Sequence, residues 1–270
     1  MEHQGRVAVV TGGGRGIGRA TALVLARQGA TVAVLARTAA EIEETAEQII
    51  RQGGEALPVS ADVADDAAVE RAFATIRAEC GPIAILVNNA GMGGGHQPVA
   101  ELEPALWRRV LDVNLTGAFL CARAALPDMA EAGWGRIVNV SSVAATNALP
   151  RFGPVAVAKA ALDHFTRILA AEGKPRGIGV TALYPGLVDT RLQEEARAAG
   201  VSGNGAALQA MFERYKARNL LVEPGRPAAL IAFLCSEAAS SYAGRVLTTE
   251  EATQGLAQQA GLPTTTRQAG

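Results

Sequence analysis

Thr11-Gly12-Gly13-Gly14-Arg15-Gly16-Ile17-Gly18 joins an apolar run, Arg6 to Val10, to a helical pattern, Gly16 to Gln28. Glycine at these places lets the backbone turn sharply and come close to a pyrophosphate, while the helix that follows aims its free N–H groups and positive dipole end at the anion. Spacing alone is weak. With 30 glycines in 270 residues, a given three-glycine pattern is expected roughly 0.3 to 0.4 times by chance, so the motif needs its context. That context is present: a strand before, a helix after, and a second strand, Thr31 to Ala36, at the right distance.

Working outward, short apolar runs alternate with longer helical ones. Strands are predicted at Ala56–Val59, Ile83–Asn88, Arg136–Ser141, Gly179–Leu183 and Gly244–Thr248. Helices are predicted at Thr38–Gln52, Asp65–Glu79, Pro104–Ala130, Pro154–Ala171 and Pro227–Ala239. Strands separated by helical crossovers imply a parallel sheet covered on both faces, and runs such as Val-Ala-Val-Val are apolar throughout, as two-sided burial requires. The expected fold is α/β: one doubly wound, Rossmann-type domain over residues 1–250, with about seven parallel strands. From Asp189 to Glu223 the alternation pauses. Gln193–Ala199 and Ala206–Arg218 look helical around a glycine-rich hinge, which suits a lid at about 190–222. Residues 251–270 read as a polar tail.

Composition narrows the class. The formal net charge is −1 with mixed signs along the chain, so no nucleic-acid stripe or polybasic membrane anchor is expected. The N-terminus lacks the apolar core of a signal peptide, and no apolar run approaches the length of a membrane span. Cys80, Cys121 and Cys235 read as reduced, buried thiols of a cytoplasmic protein. The end of the second strand selects the cofactor. An acid there holds the ribose 2′-hydroxyl of NAD, and a cation receives the 2′-phosphate of NADP. The chain has Ala36-Arg37-Thr38, with Arg15 in the glycine loop, which points to NADP(H).

From about residue 5 to residue 249 the chain resembles the short-chain dehydrogenase/reductase family. The resemblance is carried by ordered landmarks: the TGxxxGxG loop with Gly12, Gly16 and Gly18; Asp62-Val63; Asn88-Asn89-Ala90-Gly91; Asn114 in Val-Asn-Leu-Thr-Gly; Ser141-Ser142; Lys159; and Pro185-Gly186 with Thr190. The resemblance implies that Gly12, Arg15, Gly16, Ile17, Gly18 and Arg37 bind the cofactor's phosphates, and that Asp62 and Val63 hold its adenine. It implies that Asn89, Ala90 and Gly91 line the cofactor, Lys159 its nicotinamide ribose, and Pro185, Gly186, Val188 and Thr190 its carboxamide and pyrophosphate region. It also implies a homo-oligomer, a tetramer or dimer, built on the helices that begin near Pro104 and Pro154.

Carbonyl reduction takes a hydride from the cofactor and a proton from the protein. In the family a serine polarises the oxygen, a tyrosine protonates it, a lysine lowers the tyrosine's pKa and an asparagine holds a water. Residue by residue these are Ser142, Lys159 and Asn114, but the tyrosine's place, four before the lysine, holds Val155. No tyrosine lies between Ser142 and Lys159. Replacement acids are Tyr184, Tyr215 and His96, or Lys159 itself. Arg151 suits polarising a carbonyl or binding a carboxylate. His96, Asn147, Arg151, Phe152 and Val155 form the expected substrate pocket, otherwise small and apolar. The leading expectation is an NADPH-dependent oxidoreductase acting on a hydrophobic ketone, imine or activated alkene. The alternatives are a non-redox enzyme (cyclisation, dehydration or isomerisation) or a catalytically silent subunit paired with an active relative. A further departure is Val246-Leu-Thr-Thr-Glu-Glu251, where the family usually has an acid and two glycines.

Overall fold

Seven parallel strands lie in the order β3-β2-β1-β4-β5-β6-β7. The computed structural model describes residues 1–188, 213–215, 217 and 221–259. In chain order the strands are β1 Val7–Thr11, β2 Thr31–Ala36, β3 Glu55–Ser60, β4 Ile83–Asn88, β5 Gly135–Val140, β6 Ile178–Tyr184 and β7 Val246–Thr248. The helices are α1 Gly16–Arg27, α2 Ala39–Arg51, α3 Asp66–Cys80, α4 Pro104–Leu111, α5 Gly117–Ala132, α6 Gly153–Gly173, α7 Gly225–Leu234 and α8 Thr249–Gln259. The strand order reverses between β1 and β4, and at such a switch point the crevice beyond the strand ends receives a ligand.

Strand parity explains the two layers. Val7 and Val9 face one apolar core, with Ile137 and Val180 from neighbouring strands and residues of α3, α5 and α6. Ala8 and Val10 face the other, with Leu183, Leu247 and residues of α1, α2 and α7. A strand buried on both sides has no polar face to display, so these runs are mostly apolar, and polar side chains such as Asn139 of β5 and Thr181 of β6 are themselves buried.

Four expectations need correction. The helix expected over Pro104–Ala130 is interrupted by a π turn at Asp112–Thr116, with α4 before it and α5 after it. The helix expected over Pro227–Ala239 ends at Leu234 and is followed by a 3-10 turn, Glu237–Tyr242. The polar tail expected from residue 251 opens instead inside α8, whose Ala252 is fully buried and which packs on α7. Thr248 and Glu251 cap it reciprocally: the Thr248 N–H donates to Glu251 Oε2 at 2.8 Å, and the Glu251 N–H to Thr248 Oγ1 at 3.3 Å. That is a capping box. Finally, Pro104–Ala132 is long and apolar enough to cross a membrane by length and composition, which the sequence reading denied of every run. Here it packs on β4 and α3 as part of one layer. Cys121 and Cys235 are buried and Cys80 partly so, all as free thiols. The expected helix Gln193–Ala199 lies outside the described residues, and Ala206–Arg218 does so except at 213–215 and 217.

Candidate active site and cofactor groove

The glycine loop is stitched to the loop after β4. Asn89 Nδ2 donates to the carbonyls of Thr11 (2.9 Å) and Gly12 (3.2 Å), while the N–H groups of Asn89 and Ala90 each donate to Thr11 Oγ1 at 3.0 Å. Gly12 has φ +62°, and a Cβ there would lie 2.9 Å from Asn89 Nδ2 and 3.0 Å from Ala90 Cα. Only glycine fits that backbone and that space. Helix α1 opens with Arg15 at its N-cap, without a side-chain cap and without an acid in its first turn. Its positive end is therefore left to a ligand anion.

Along this loop runs a groove of about 490 Å³. Gly12, Arg15, Gly16 and Ile17 line one part, Arg37 and Asp62-Val63 another, and Asn89-Ala90-Gly91 a third. These expected cofactor residues are thus brought to one cleft, and the cradle a Cβ would fill at Gly12 fits a dinucleotide. Arg37 is exposed, 4.0 Å from Asp62 Oδ2. Asp62 is also held by Arg109 Nη2 at 2.5 Å and by the Ala64 N–H at 3.0 Å. Burial alone would raise its pKa, but the Arg109 hydrogen bond, the Ala64 N–H and the two arginine charges outweigh it and lower it. Arg109 had no signal in the sequence beyond a basic residue in the last turn of a helix.

Asn114 sits in the π turn, and its own amide explains the turn. Nδ2 donates to the carbonyl of Val110, four residues back, and to Met92 O, both at 3.0 Å. A side chain that bonds the i−4 carbonyl competes with the helical ladder and widens it locally. Asn114 Oδ1 lies 2.9 Å from where a Cβ on Gly91 would stand, so the asparagine and the β4 loop fit only with glycine there. Ser142 is the N-cap of a short 3-10 turn, its Oγ accepting from Ala144 N at 3.1 Å. Its own proton remains available to donate.

Lys159 is buried on α6 and donates to Val140 O at 2.7 Å. Burial pushes its pKa down to about 8, with the nearby Asp163 charge opposing. Asp163 lies one helical turn on, is 4% exposed, and accepts from Tyr184 Oη at 2.5 Å on Oδ2. Strand parity turns the Tyr184 side chain onto α6. Burial first, then the Asp163 contact, raises its pKa, so it keeps its proton. Beneath these groups Asn88, Asn139 and Thr166 form a buried chain that ties β4 and β5 to α6: Asn88 Nδ2 to Asn139 Oδ1 at 2.9 Å, Asn139 Nδ2 to Thr166 Oγ1 at 2.8 Å. Asp163, Asn139 and Thr166 escaped the sequence reading because their roles depend on which face meets which helix.

Val155 lies one turn before Lys159, and its Cγ2 is 3.3 Å from the Cβ position of Gly94. The loop after β4 therefore lies against the start of α6. There His96 packs on Phe152 with ring centroids 4.5 Å apart, and Arg151 Nη1 donates to the His96 carbonyl at 3.4 Å. Burial lowers the pKa of His96. Asn147 is exposed just after the neighbouring 3-10 turn, Val143–Ala145, and Pro185, Gly186 and Val188 follow β6. Tyr215 is half-buried in a short helical piece. Thr190 lies outside the described residues.

The family model described as short chain dehydrogenase matches residues 6–200. Among curated proteins, cis-4-hydroxycyclohexanecarboxylate dehydrogenase of Sinomonas cyclohexanicum is 39% identical over 242 residues, 90% of this chain and 94% of that one. The 3-oxoacyl-[acyl-carrier-protein] reductase of a Synechocystis strain is 36% identical over 239 residues, 88% and 92% respectively. Among solved structures, levodione reductase superposes with a TM-score of 0.85 at 30% identity, covering 94% of this chain and 99% of that one.

Proposed function

The chain belongs to the short-chain dehydrogenase/reductase family, and on that premise we propose an NADP(H)-dependent oxidoreductase acting on a mostly hydrophobic small molecule. The observation that carries the reading is the groove along the glycine loop with Arg37 exposed at the end of β2 and no acid in that place. The family binds a nicotinamide dinucleotide; the choice of the phosphorylated form follows from Arg37 and Arg15, which present guanidinium forks suited to a 2′-phosphate.

Bound in this groove, the nicotinamide supplies a hydride. The chain's own residues do the rest. Lys159, buried beside the strand ends, holds the ribose. Asn114 braces the π turn and the β4 loop. Ser142 donates its hydroxyl proton as a hydrogen bond to the substrate's oxygen or nitrogen. Val155 contributes no proton. Reduction of a ketone then needs a proton from water or from Lys159, whose lowered pKa suits the task. Reduction of an iminium ion needs the hydride alone. Tyr184, held by Asp163, serves through Lys159 rather than by reaching the substrate. The relatives' names give an alicyclic hydroxy acid and 3-oxoacyl groups, and an alicyclic or acyl carbonyl is the first substrate class to try.

The test is a fluorescence titration of the purified protein with NADPH and NADH. Tighter binding of NADPH is expected, and Arg37→Ala should weaken NADPH by about tenfold or more, the scale of a charge-assisted contact, while leaving NADH nearly unchanged. Equal affinities in the wild type overturn the NADP assignment. Val155 favours one second reading: a pocket that uses bound cofactor without net redox change, in a non-redox enzyme or a silent subunit. Turnover separates the two, since only an oxidoreductase consumes NADPH in step with product. Phe119 on α5, and Val157 and Ile168 on α6, are exposed large apolar side chains, which supports a homo-oligomer joined through these helices.

A further inference from the structure

Arg151 has φ +70°, the one positive value at a non-glycine residue among those described. Such backbone is rarely occupied by a side chain with a Cβ, and where it persists the surroundings enforce it, often at a functional site. The residue is half-buried, and among the described residues its one hydrogen bond is the long contact to the His96 carbonyl. Other buried or half-buried arginines are provided for. Arg19, Arg77, Arg109 and Arg136 are paired with Glu44, Asp128, Asp62 and Glu237, and Arg6 stacks on Trp134 at 3.7 Å. Arg151 alone in this set has neither an acid nor a ring.

A second polar group beside it is also unsatisfied. His96 Nδ1 is buried without a hydrogen-bond partner, and burial keeps the imidazole neutral near pH 7, so one ring nitrogen has an unused donor or acceptor site. The surroundings are apolar. Val99, Val143 and Leu149, on the same two loops, expose 76%, 42% and 40% of their surface, Val99 lies beside Gly153, and Val155 lies against Gly94. An unpaired cation beside an unsatisfied imidazole, on two loops that expose apolar side chains, describes the complement of an apolar molecule with one anionic group.

We propose that the substrate carries a carboxylate on an apolar body, and that Arg151 receives it. The planar fork of a guanidinium matches a carboxylate with two parallel hydrogen bonds. The proposal rests on the reading that the space beside Val155 is the substrate site, and it names the substrate class for that site.

The experiment is calorimetric titration of the NADP⁺-loaded protein with cyclohexanecarboxylate and, as its neutral counterpart, cyclohexanecarboxamide. The carboxylate is expected to bind at least tenfold more tightly, and Arg151→Gln to abolish the preference. Arg151→Gly should abolish it too while holding or raising the melting temperature, because glycine relieves the positive φ; the loss then reflects the missing guanidinium and not misfolding. Equal binding of acid and amide, failure of both to bind, or a preference that survives Arg151→Gln overturns the proposal. Turnover of 4-oxocyclohexanecarboxylate and its methyl ester with NADPH separates this from the oxidoreductase reading. Equal kcat/KM for both overturns the carboxylate site and leaves a reductase. An Arg151-dependent binding preference without turnover of either leaves the carboxylate site and overturns the reductase.

Discussion

Lys159 is enclosed by protein, and that enclosure makes it a titrating group with a stability signature. Its pKa is lowered to about 8 from an ordinary 10.5, a displacement of about 3 kcal/mol at 1.36 kcal/mol per unit. Below about pH 8 the lysine is protonated in both folded and unfolded chains, and the folded state carries the full penalty. Between about pH 8 and 10.5 the unfolded chain binds the extra proton, so stability rises with pH through that window. The wild type should therefore gain stability over Lys159→Met across this window, read from paired melts in urea. Asp163→Asn removes the charge that opposes the shift, so its rise should begin at a lower pH. Parallel curves for wild type and Lys159→Met would show that the lysine does not titrate as described. At this scale the sequence named Lys159, Asn114 and Ser142, and it offered Tyr184 as a replacement acid from its place at the end of a strand. Which helix that side chain meets is a matter of parity and packing, and the meeting with Asp163 was not legible.

Elements were legible where their cause is periodic and less so where one side chain decides. The apolar runs located all seven strands to within a residue or two; burial on both faces leaves a continuous signal in the inner strands, and a shorter one in the partly exposed edge strand β3. The break between α4 and α5 had no such signal. It is produced by a single amide, Asn114 Nδ2 on Val110 O, inside a stretch, Asp112–Thr116, that carries no proline to mark a break. The start of α8 is the opposite case. Thr248-Thr-Glu-Glu251 carries the Thr-x-x-Glu capping pattern openly, yet against the acid and two glycines that the resemblance leads one to expect there, it reads as a departure. Thr248→Ala removes the Oγ1 half of the capping box, leaving the backbone N–H of residue 248 on Glu251, and should destabilise the protein by about 1 kcal/mol, a fall of roughly 2 to 4 °C in Tm for a domain of this size. An unchanged Tm would mean that α8 does not contribute to the cooperative unit.

For the whole molecule, the reversal of strand order at β1 and β4 places the crevice, and the glycine loop announced it in the sequence. The outer surface is less explicit. Phe119 and Phe165 bring α5 and α6 together with ring centroids 6.1 Å apart, and Phe119, Val157 and Ile168 remain exposed on these two helices. Scattered exposed apolar residues are ordinary, but three on adjoining helices suit a self-complementary contact. Replacing Val157 and Ile168 with glutamate should shift the species seen by light scattering toward the monomer. A wild type already monomeric at micromolar concentration would remove the proposed assembly.

The stitching of Asn89 to Thr11 and Gly12 has a consequence for how the chain acquires its ligand. The Asn89 N–H and Thr11 are 78 residues apart in sequence, so the floor of the cradle is a non-local contact. It closes only when β4 has docked beside β1, late in any order of assembly that pays for long loops after short ones. A nascent chain that has released only the glycine loop and α1 presents the motif without the cradle. During synthesis the dinucleotide therefore has no preformed partner until at least the first third of the polypeptide has emerged, and it rewards a sheet already half built.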